Sequence, residues 1–469
     1  MHDNTSTPLY ALDAGTLSAR YADGMNTPTE VIESVLARIA EREPELNAFY
    51  LHDPEQVRVD AAAATERWAS GTQLSSFDGV PATVKENFAR RGLPKPSGTA
   101  LPNPTIAAQN APTTDRLLEA GVVILGSTTM PDWGMLSSGV SSLHGITRNG
   151  LNPVHTSGGS SAGAGTAAAA GYGPLHVGTD IGGSIRLPGT WQGLTALKPS
   201  EGLIPLDAPY MGRAAGPLTR TAADAIHLMS LIARTDERDY LTRSYGEMNW
   251  STEPISPVGM RVAVQLDAGS GIAVETETRA IIEAAATLFE QAGASVERLD
   301  PFIAPGVLDG IVNFWRSRFY ADYEMLSEDE RGRVLPFIAE WCRAGADFSA
   351  AQTVRNRNQM DEMARLTREA TAPYDLVLSP VTPVAAFPAE DPMPILDPLA
   401  TMGHISFAVP YNMSGQPAVS VGAGVQNDGR TVGLQIASPI GTDDTLLRVV
   451  AWFESVRGDA AEVDWSAVK

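Results

Sequence analysis

An α/β fold around a mostly parallel sheet is predicted from three features of the sequence. A helix-patterned segment at 114–120 is followed at once by a β-prone run at 122–125. Strand, helix, strand alternation of this kind lays parallel strands side by side under covering helices. A second such unit opens the latter half, with a strand at 261–265 and a long helix at 274–292. The third feature is a hydrophobic content of 43% over 469 residues, enough for a large buried core.

The other elements follow along the chain. Thr27-Pro28-Thr29-Glu30 is a helix start: Thr27 caps, Pro28 suits the first helical position and Glu30 closes a capping box. Ile32, Val35, Leu36 and Ile39 then recur at helical spacing. With a second helix over 61–68, they form a helical N-terminal layer within residues 1–70 that has no chemistry of its own. Residues 127–153 are rich in Gly, Ser, Thr and Asn. Loops of that length in compact domains tend to be functional. A run of small residues over 162–170 is expected as a helix buried against other backbones, and 175–178 as a short buried strand. Further on come a helix over 222–233, largely helical and aromatic residues 301–370, a strand at 375–378 and a proline-rich loop over 379–394. Strands at 419–421 and 433–437 and a helix from Thr445 complete the chain.

The formal net charge is −21, from 55 acidic and 34 basic side chains. Such a surface repels nucleic acid and anionic membranes and favours solubility, so neither is an expected partner; it says nothing specific about substrate. A single cysteine, Cys342, excludes an internal disulfide and fits the cytoplasm, the expected location. The opening MHDNTSTPLY has no basic segment followed by an apolar run, so no signal peptide is expected. No uncharged apolar stretch approaches the roughly 18 residues of a spanning helix. His155 and His176 lack metal-ligand spacing, so no metal site is expected.

The chemistry gathers in residues 156–188, TSGGSSAGAGTAAAAGYGPLHVGTDIGGSIRLP. Two serine-bearing glycine loops flank the small-residue helix, one with Ser160 and Ser161, the other with Ser184. Gly182-Gly183-Ser184 can turn consecutive N–H groups toward one point, the arrangement of an oxyanion hole. A serine there attacks a carbonyl only if a base takes its proton. Lys85 follows a β-prone run in Gly79-Val80-Pro81-Ala82-Thr83-Val84-Lys85-Glu86-Asn87 and is a candidate base. Burial without a carboxylate partner would depress its pKa from about 10.4. Asp180 and Arg186 bracket the second loop as a structural ion pair.

GVPATVKEN at 79–87, GGSS at 158–161 and GTDIGGSIR at 178–186, in this order and spacing, resemble the amidase signature family. Segments around Pro199, Pro217 and 407–418 extend the likeness over nearly the whole chain. The resemblance implies one domain over 1–469, with a large mixed, mostly parallel twisted sheet flanked on both sides by helices. It implies hydrolysis of C–N acyl bonds in amides, anilides or carbamates, with no cofactor. Ser184 is then the nucleophile, Ser160 the proton bridge after a cis peptide, and Lys85 the base. The N–H groups of Ile181, Gly182, Gly183 and Ser184 form the oxyanion hole, and Ser161 supports the loop. Met130, Trp133 and Met135 are candidate walls of the substrate site. So are Phe314, Trp315 and Phe319 in the variable, pocket-shaping stretch 301–370. Ala162 and Asp132 depart from a glycine and a glutamate common in the family. A monomer or homodimer acting on a small amide or carbamate and water is expected, with a preference for aryl amides or carbamates.

Two other readings stand beside this one. The glutaminase component of a tRNA-dependent amidotransferase has the same serine loops. Gly159-Ser160-Ser161-Ala162-Gly163 also fits the nucleophile elbow of α/β-hydrolases, with Ser161 attacking and a histidine such as His404 as base. The elbow needs a strand directly before it, and 152–158 is a poor strand.

Overall fold

Eleven strands form one sheet in the computed structural model, which describes residues 7–400, 402–458, 463 and 465. Residues 1–6, the start of the expected N-terminal layer and of the segment read for a signal peptide, lie outside the described residues. In chain order the strands are β1 Phe49–His52, β2 Pro81–Lys85, β3 Val123–Thr128, β4 Leu175–Asp180, β5 Thr195–Lys198 and β6 Ala214–Thr219. The second half supplies β7 Arg261–Val264, β8 Ser295–Arg298, β9 Leu376–Pro380, β10 Ala418–Val425 and β11 Thr431–Ala437. Their order across the sheet is β1-β3-β2-β4-β6-β5-β10-β11-β9-β7-β8. Fourteen α-helices flank it among the described residues. None of these helices is long and apolar enough to cross a membrane.

The α/β class and the mixed, helix-flanked sheet are as expected, but the parallel share is smaller. Parallel pairing joins β3 to β2, β2 to β4, β9 to β7 and β7 to β8. The other six pairings, at the first edge and across the middle, are antiparallel. The middle departs because its connections are short. Only residues 426–430 join β10 to β11, a hairpin link with no room for a parallel crossover.

Local chemistry sets the element ends. The helix Pro28–Leu46 opens on the expected capping box: Glu30 N–H donates to Thr27 Oγ1 at 3.2 Å and Thr27 N–H to Glu30 Oε2 at 2.8 Å. Nearby, Pro54–Ser70 is longer than the predicted 61–68 because Asp53 caps it and Pro54 begins it. All nine residues of Ala162–Ala170 are buried. A Cβ at Gly163 would collide with the carbonyl oxygen of Ala48, so the small residues are what let this helix settle on the strands.

Two apolar clusters occupy the interior. One joins the N-terminal helices to the sheet. The other gathers the helices Val307–Tyr323, Pro336–Arg343 and Ala350–Thr371 around Trp315, Trp341 and Met360. It reaches the sheet through Leu187 and Trp191, just beyond Ser184.

Candidate active site

Three parallel neighbours, β3, β2 and β4, end at one edge of the sheet, the position where open α/β sheets bind their ligands. Lys85 is the last residue of β2 and is fully buried. Its Nζ is within hydrogen-bond distance of Ser160 Oγ at 2.9 Å, Ser161 Oγ at 3.1 Å and Thr179 Oγ1 at 3.2 Å. Among the described residues no carboxylate pairs with it. Burial, and then the positive charge of Arg213, push its pKa well below the ordinary lysine value, against weaker pulls from Glu86 and Asp180. Glu86, next in the chain, turns the other way and accepts from Met130 N–H at 3.1 Å, with His144 Nε2 at 3.0 Å.

The first serine loop is braced on β4. Ser161 Oγ donates to the Thr179 carbonyl at 3.0 Å and accepts from Thr179 N–H at 3.2 Å. Ser161 N–H donates to the Ser184 carbonyl at 3.1 Å, tying the two serine loops together. Only glycine fits at 178, since a Cβ there would lie 2.6 Å from Ser161 Oγ. The Gly159–Ser160 peptide is cis.

The second loop is built on a buried ion pair. Arg186 Nη2 and Nε donate to Asp180 at 2.9 and 3.1 Å, both side chains fully buried. Burial alone would raise the Asp180 pKa, but the Arg186 charge and the hydrogen bonds around it hold the carboxyl well below its usual range. The same carboxylate accepts from the N–H groups of Gly183 at 2.8 Å and Ile185 at 3.1 Å. This corrects one expectation. The Gly183 N–H is committed to Asp180 and is unavailable to an oxyanion. The N–H groups of Ile181, Gly182 and Ser184 have no acceptor among the described residues. Removing one partner of a buried pair costs about 3–5 kcal/mol, so Arg186→Met is expected to lose about that much in urea unfolding. A loss below about 1 kcal/mol would show that the pair does not hold the turn.

Ser184 is half-buried and opens, with Ser160, onto a cavity of about 400 Å³. Met130, Trp133, Met135, Trp315 and Phe319 line it. Phe314 does not; it packs into the neighbouring apolar cluster. On the helix Val307–Tyr323 the cavity face is 315, 318, 319 and 322, the spacing of one helical stripe, and 314 falls beside it. Asn87, Thr179, Tyr210, Arg213, Arg318 and Asp322 also line the cavity and were missed in the sequence. Asn87 Nδ2 donates to Thr179 Oγ1 at 2.9 Å, and its buried Oδ1 has no partner. Asn87 alone carried a signal, two residues after Lys85 in the same motif. Asp132 is buried and holds the wall loop through Ser142 N–H at 2.8 Å and Ser142 Oγ at 2.6 Å.

The elbow reading fails on this geometry. No strand precedes Ser161. His404 pairs instead with Ser137 Oγ at 2.7 Å, and burial drives its pKa down to about 3.

A family model described as Amidase matches residues 30–447. The chain belongs to the amidase family. This amidase is 33% identical to an acylamidase of Rhodococcus erythropolis, over 97% of each chain. It is 30% identical to a glutamyl-tRNA(Gln) amidotransferase subunit of Chloroflexus aggregans, over 98% of each. Its structure matches that of a bacterial aryl acylamidase of the amidase signature family with a TM-score of 0.88 and 25% identity, covering 98% of this chain and 99% of the other. The amidase is therefore an enzyme that hydrolyses C–N acyl bonds.

Proposed function

We propose that this amidase cleaves amides, anilides or carbamates through an acyl-enzyme on Ser184. The observation that carries the reading is a fully buried, unpaired Lys85 amine at 2.9 Å from Ser160, at the strand ends where Ser184 meets the cavity. Ser184 Oγ adds to the carbonyl carbon while its proton passes to Ser160, and the Ser160 proton to Lys85 Nζ. The oxyanion takes hydrogen bonds from the free N–H groups of Ile181, Gly182 and Ser184, each such donor being worth about 3–4 kcal/mol in the transition state. The C–N bond then breaks as the proton returns through Ser160 to the leaving nitrogen. Water attacks the Ser184 ester by the same relay in reverse and frees the acid. A carbamate follows the same steps, and the released carbonate half-ester loses carbon dioxide.

The aromatic and sulfur-bearing walls, Trp133, Trp315, Phe319, Met130 and Met135, favour aryl amides and aryl carbamates. The likeness to an acylamidase and to an aryl acylamidase structure supports the same class. The higher identity to the acylamidase, 33% against 30% for the amidotransferase subunit, favours the hydrolase over the amidotransferase reading. All three relay residues come from one chain, so a monomer or homodimer suffices. The single buried Cys342 suits a reducing cytoplasm.

A fluorophosphonate probe followed by peptide mass mapping tests the nucleophile. The adduct is expected on Ser184, and an adduct on Ser161 with Ser184 unmodified would overturn the relay. A panel of anilides, aryl carbamates and short aliphatic amides, with glutamine included, tests the substrate class. Use of glutamine or aliphatic amides alone would remove the aryl preference.

A further inference from the structure

Arg213 is the last residue before β6, and Ala214 stands opposite Asp180 in the β6–β4 register. Its side chain therefore belongs to the edge that carries Lys85 and the Ser184 turn, and it lines the cavity. Its guanidinium has five N–H donors, of which one Nη1 group bonds the Ala208 carbonyl at 2.9 Å. Among the described residues no carboxylate lies within 4.0 Å of it. Arg318 projects from the cavity stripe of Val307–Tyr323 and stacks over the Tyr210 ring at 4.3 Å. It too has no carboxylate within ion-pair distance among the described residues. Asp322, one turn further on, lines the same wall without reaching either arginine.

Arg42, Arg220 and Arg316 are buried and likewise have no carboxylate within 4.0 Å among the described residues, but they bond main-chain carbonyls away from the reacting groups, whereas Arg213 and Arg318 line the cavity. The protein carries 55 acidic side chains against 34 basic ones, and the buried arginine at this edge, Arg186, is fully paired. The remaining carboxylate of the cavity lining, Asp180, is spent on Arg186 and on N–H groups of the turn. Two cations, the half-buried Arg213 and the exposed Arg318, thus border a mostly apolar space beside the reacting groups. Arginine presents a planar fork that matches a carboxylate.

We propose that the preferred substrates carry a carboxylate, and that the Arg213 fork, with Arg318 at the rim, receives it. This deepens the amidase reading above and rests on it. The class is a linear amide or carbamate with an acidic group on either its acyl or its amine portion. Arg213 thereby sets which substrates are chosen, and Ser184, Ser160 and Lys85 perform the same chemistry on all of them.

Two matched substrate pairs distinguish the two portions. Succinanilate against butyranilide places the charge on the acyl side, and para-acetamidobenzoate against para-methylacetanilide on the amine side. Release of the arylamine by the full-length protein gives kcat/KM for each. In at least one pair the acid is expected to exceed its neutral partner about tenfold. Arg213→Met should bring that ratio close to one, a loss of about tenfold, at the lower end of what a charged hydrogen-bonded pair supplies. Arg318→Met should shrink it less, and Arg213→Lys should give an intermediate ratio. A binding arm is independent of turnover: in Ser184→Ala protein, calorimetry with the favoured acid should show a Kd at least about tenfold weaker when Arg213→Met is added.

Equal rates for acid and neutral partner in both pairs would overturn the proposal. So would a ratio that Arg213→Met leaves unchanged while the pH profile moves, which would make Arg213 a charge acting on Lys85 alone. If wild-type protein cleaves none of the four anilides, the aryl-amide reading fails. The binding arm then decides the carboxylate site by itself, and a Kd insensitive to Arg213→Met would remove it.

Discussion

Replacing Ser184 by alanine is expected to lower kcat/KM on an anilide about a millionfold, the scale on which serine hydrolases lose activity without their attacking hydroxyl. The remaining cavity and N–H groups still bind and polarise the carbonyl, so a residual rate over water of about a thousandfold should persist. The fold should be untouched. The Ser184 hydroxyl makes no hydrogen bond among the described residues, and the Ser161 N–H that fastens this loop is held by the Ser184 main-chain carbonyl. Surface-like substitutions of this kind stay within about 0.5 kcal/mol, so the thermal midpoint should not move appreciably. Activity within tenfold of wild type would require a different nucleophile.

Lys85→Met should be nearly as severe. It removes the only amine in the relay, and a positioned base contributes about 10²–10⁴ in rate. Because Ser184, Ser160 and Lys85 act as a unit, adding Lys85→Met to Ser184→Ala should cost little more than Ser184→Ala alone. Fully additive losses would mean that Lys85 acts elsewhere. Acid pH should mimic the substitution, since only the neutral amine accepts a proton. The acid limb of wild-type kcat/KM is expected below the ordinary lysine range, as the burial of Lys85 requires. Stability carries the same signature. The folded pKa is lowered, so between it and the unfolded value of about 10.4 the unfolded chain binds a proton that the folded chain does not. Stability therefore rises with pH across that interval, and the burden on folding is complete below it and absent above it. Urea unfolding from about pH 7 to 10 should show a steeper rise in wild type than in Lys85→Met, where Lys198, pushed down to about 7 by burial, still contributes a rise of its own. Parallel profiles would mean that Lys85 is charged in its native site.

The parts of the site that were legible in the sequence are those written in short contiguous motifs. Lys85 at a strand end, the small helix between two serine loops, and the Asp180–Arg186 pair can each be read from neighbouring residues. The capping box at Thr27 and Glu30 is equally local. What escaped depends on partners far away in the chain. The Gly183 N–H looks free until the Asp180 carboxylate is seen turned back onto it at 2.8 Å. Phe314 and Trp315 are equally aromatic, and only the packing of their helix decides which one meets the cavity. Arg213 reaches the site because β6 slots between β4 and β5, a pairing that no local pattern announces. The share of antiparallel pairs was hidden for the same reason.

The groups that break the bond are fastened to strand ends and to a helix of alanine and glycine buried over its whole length. One side of the cavity wall belongs to Val307–Tyr323, a separate helix seated in its own apolar cluster. The reacting groups and this side of the wall are thus mounted on different supports. Residues 318, 319 and 322 are therefore the set to exchange for retargeting the enzyme, whereas Trp315, whose ring lies against Gly182, also bears on the Ser184 turn.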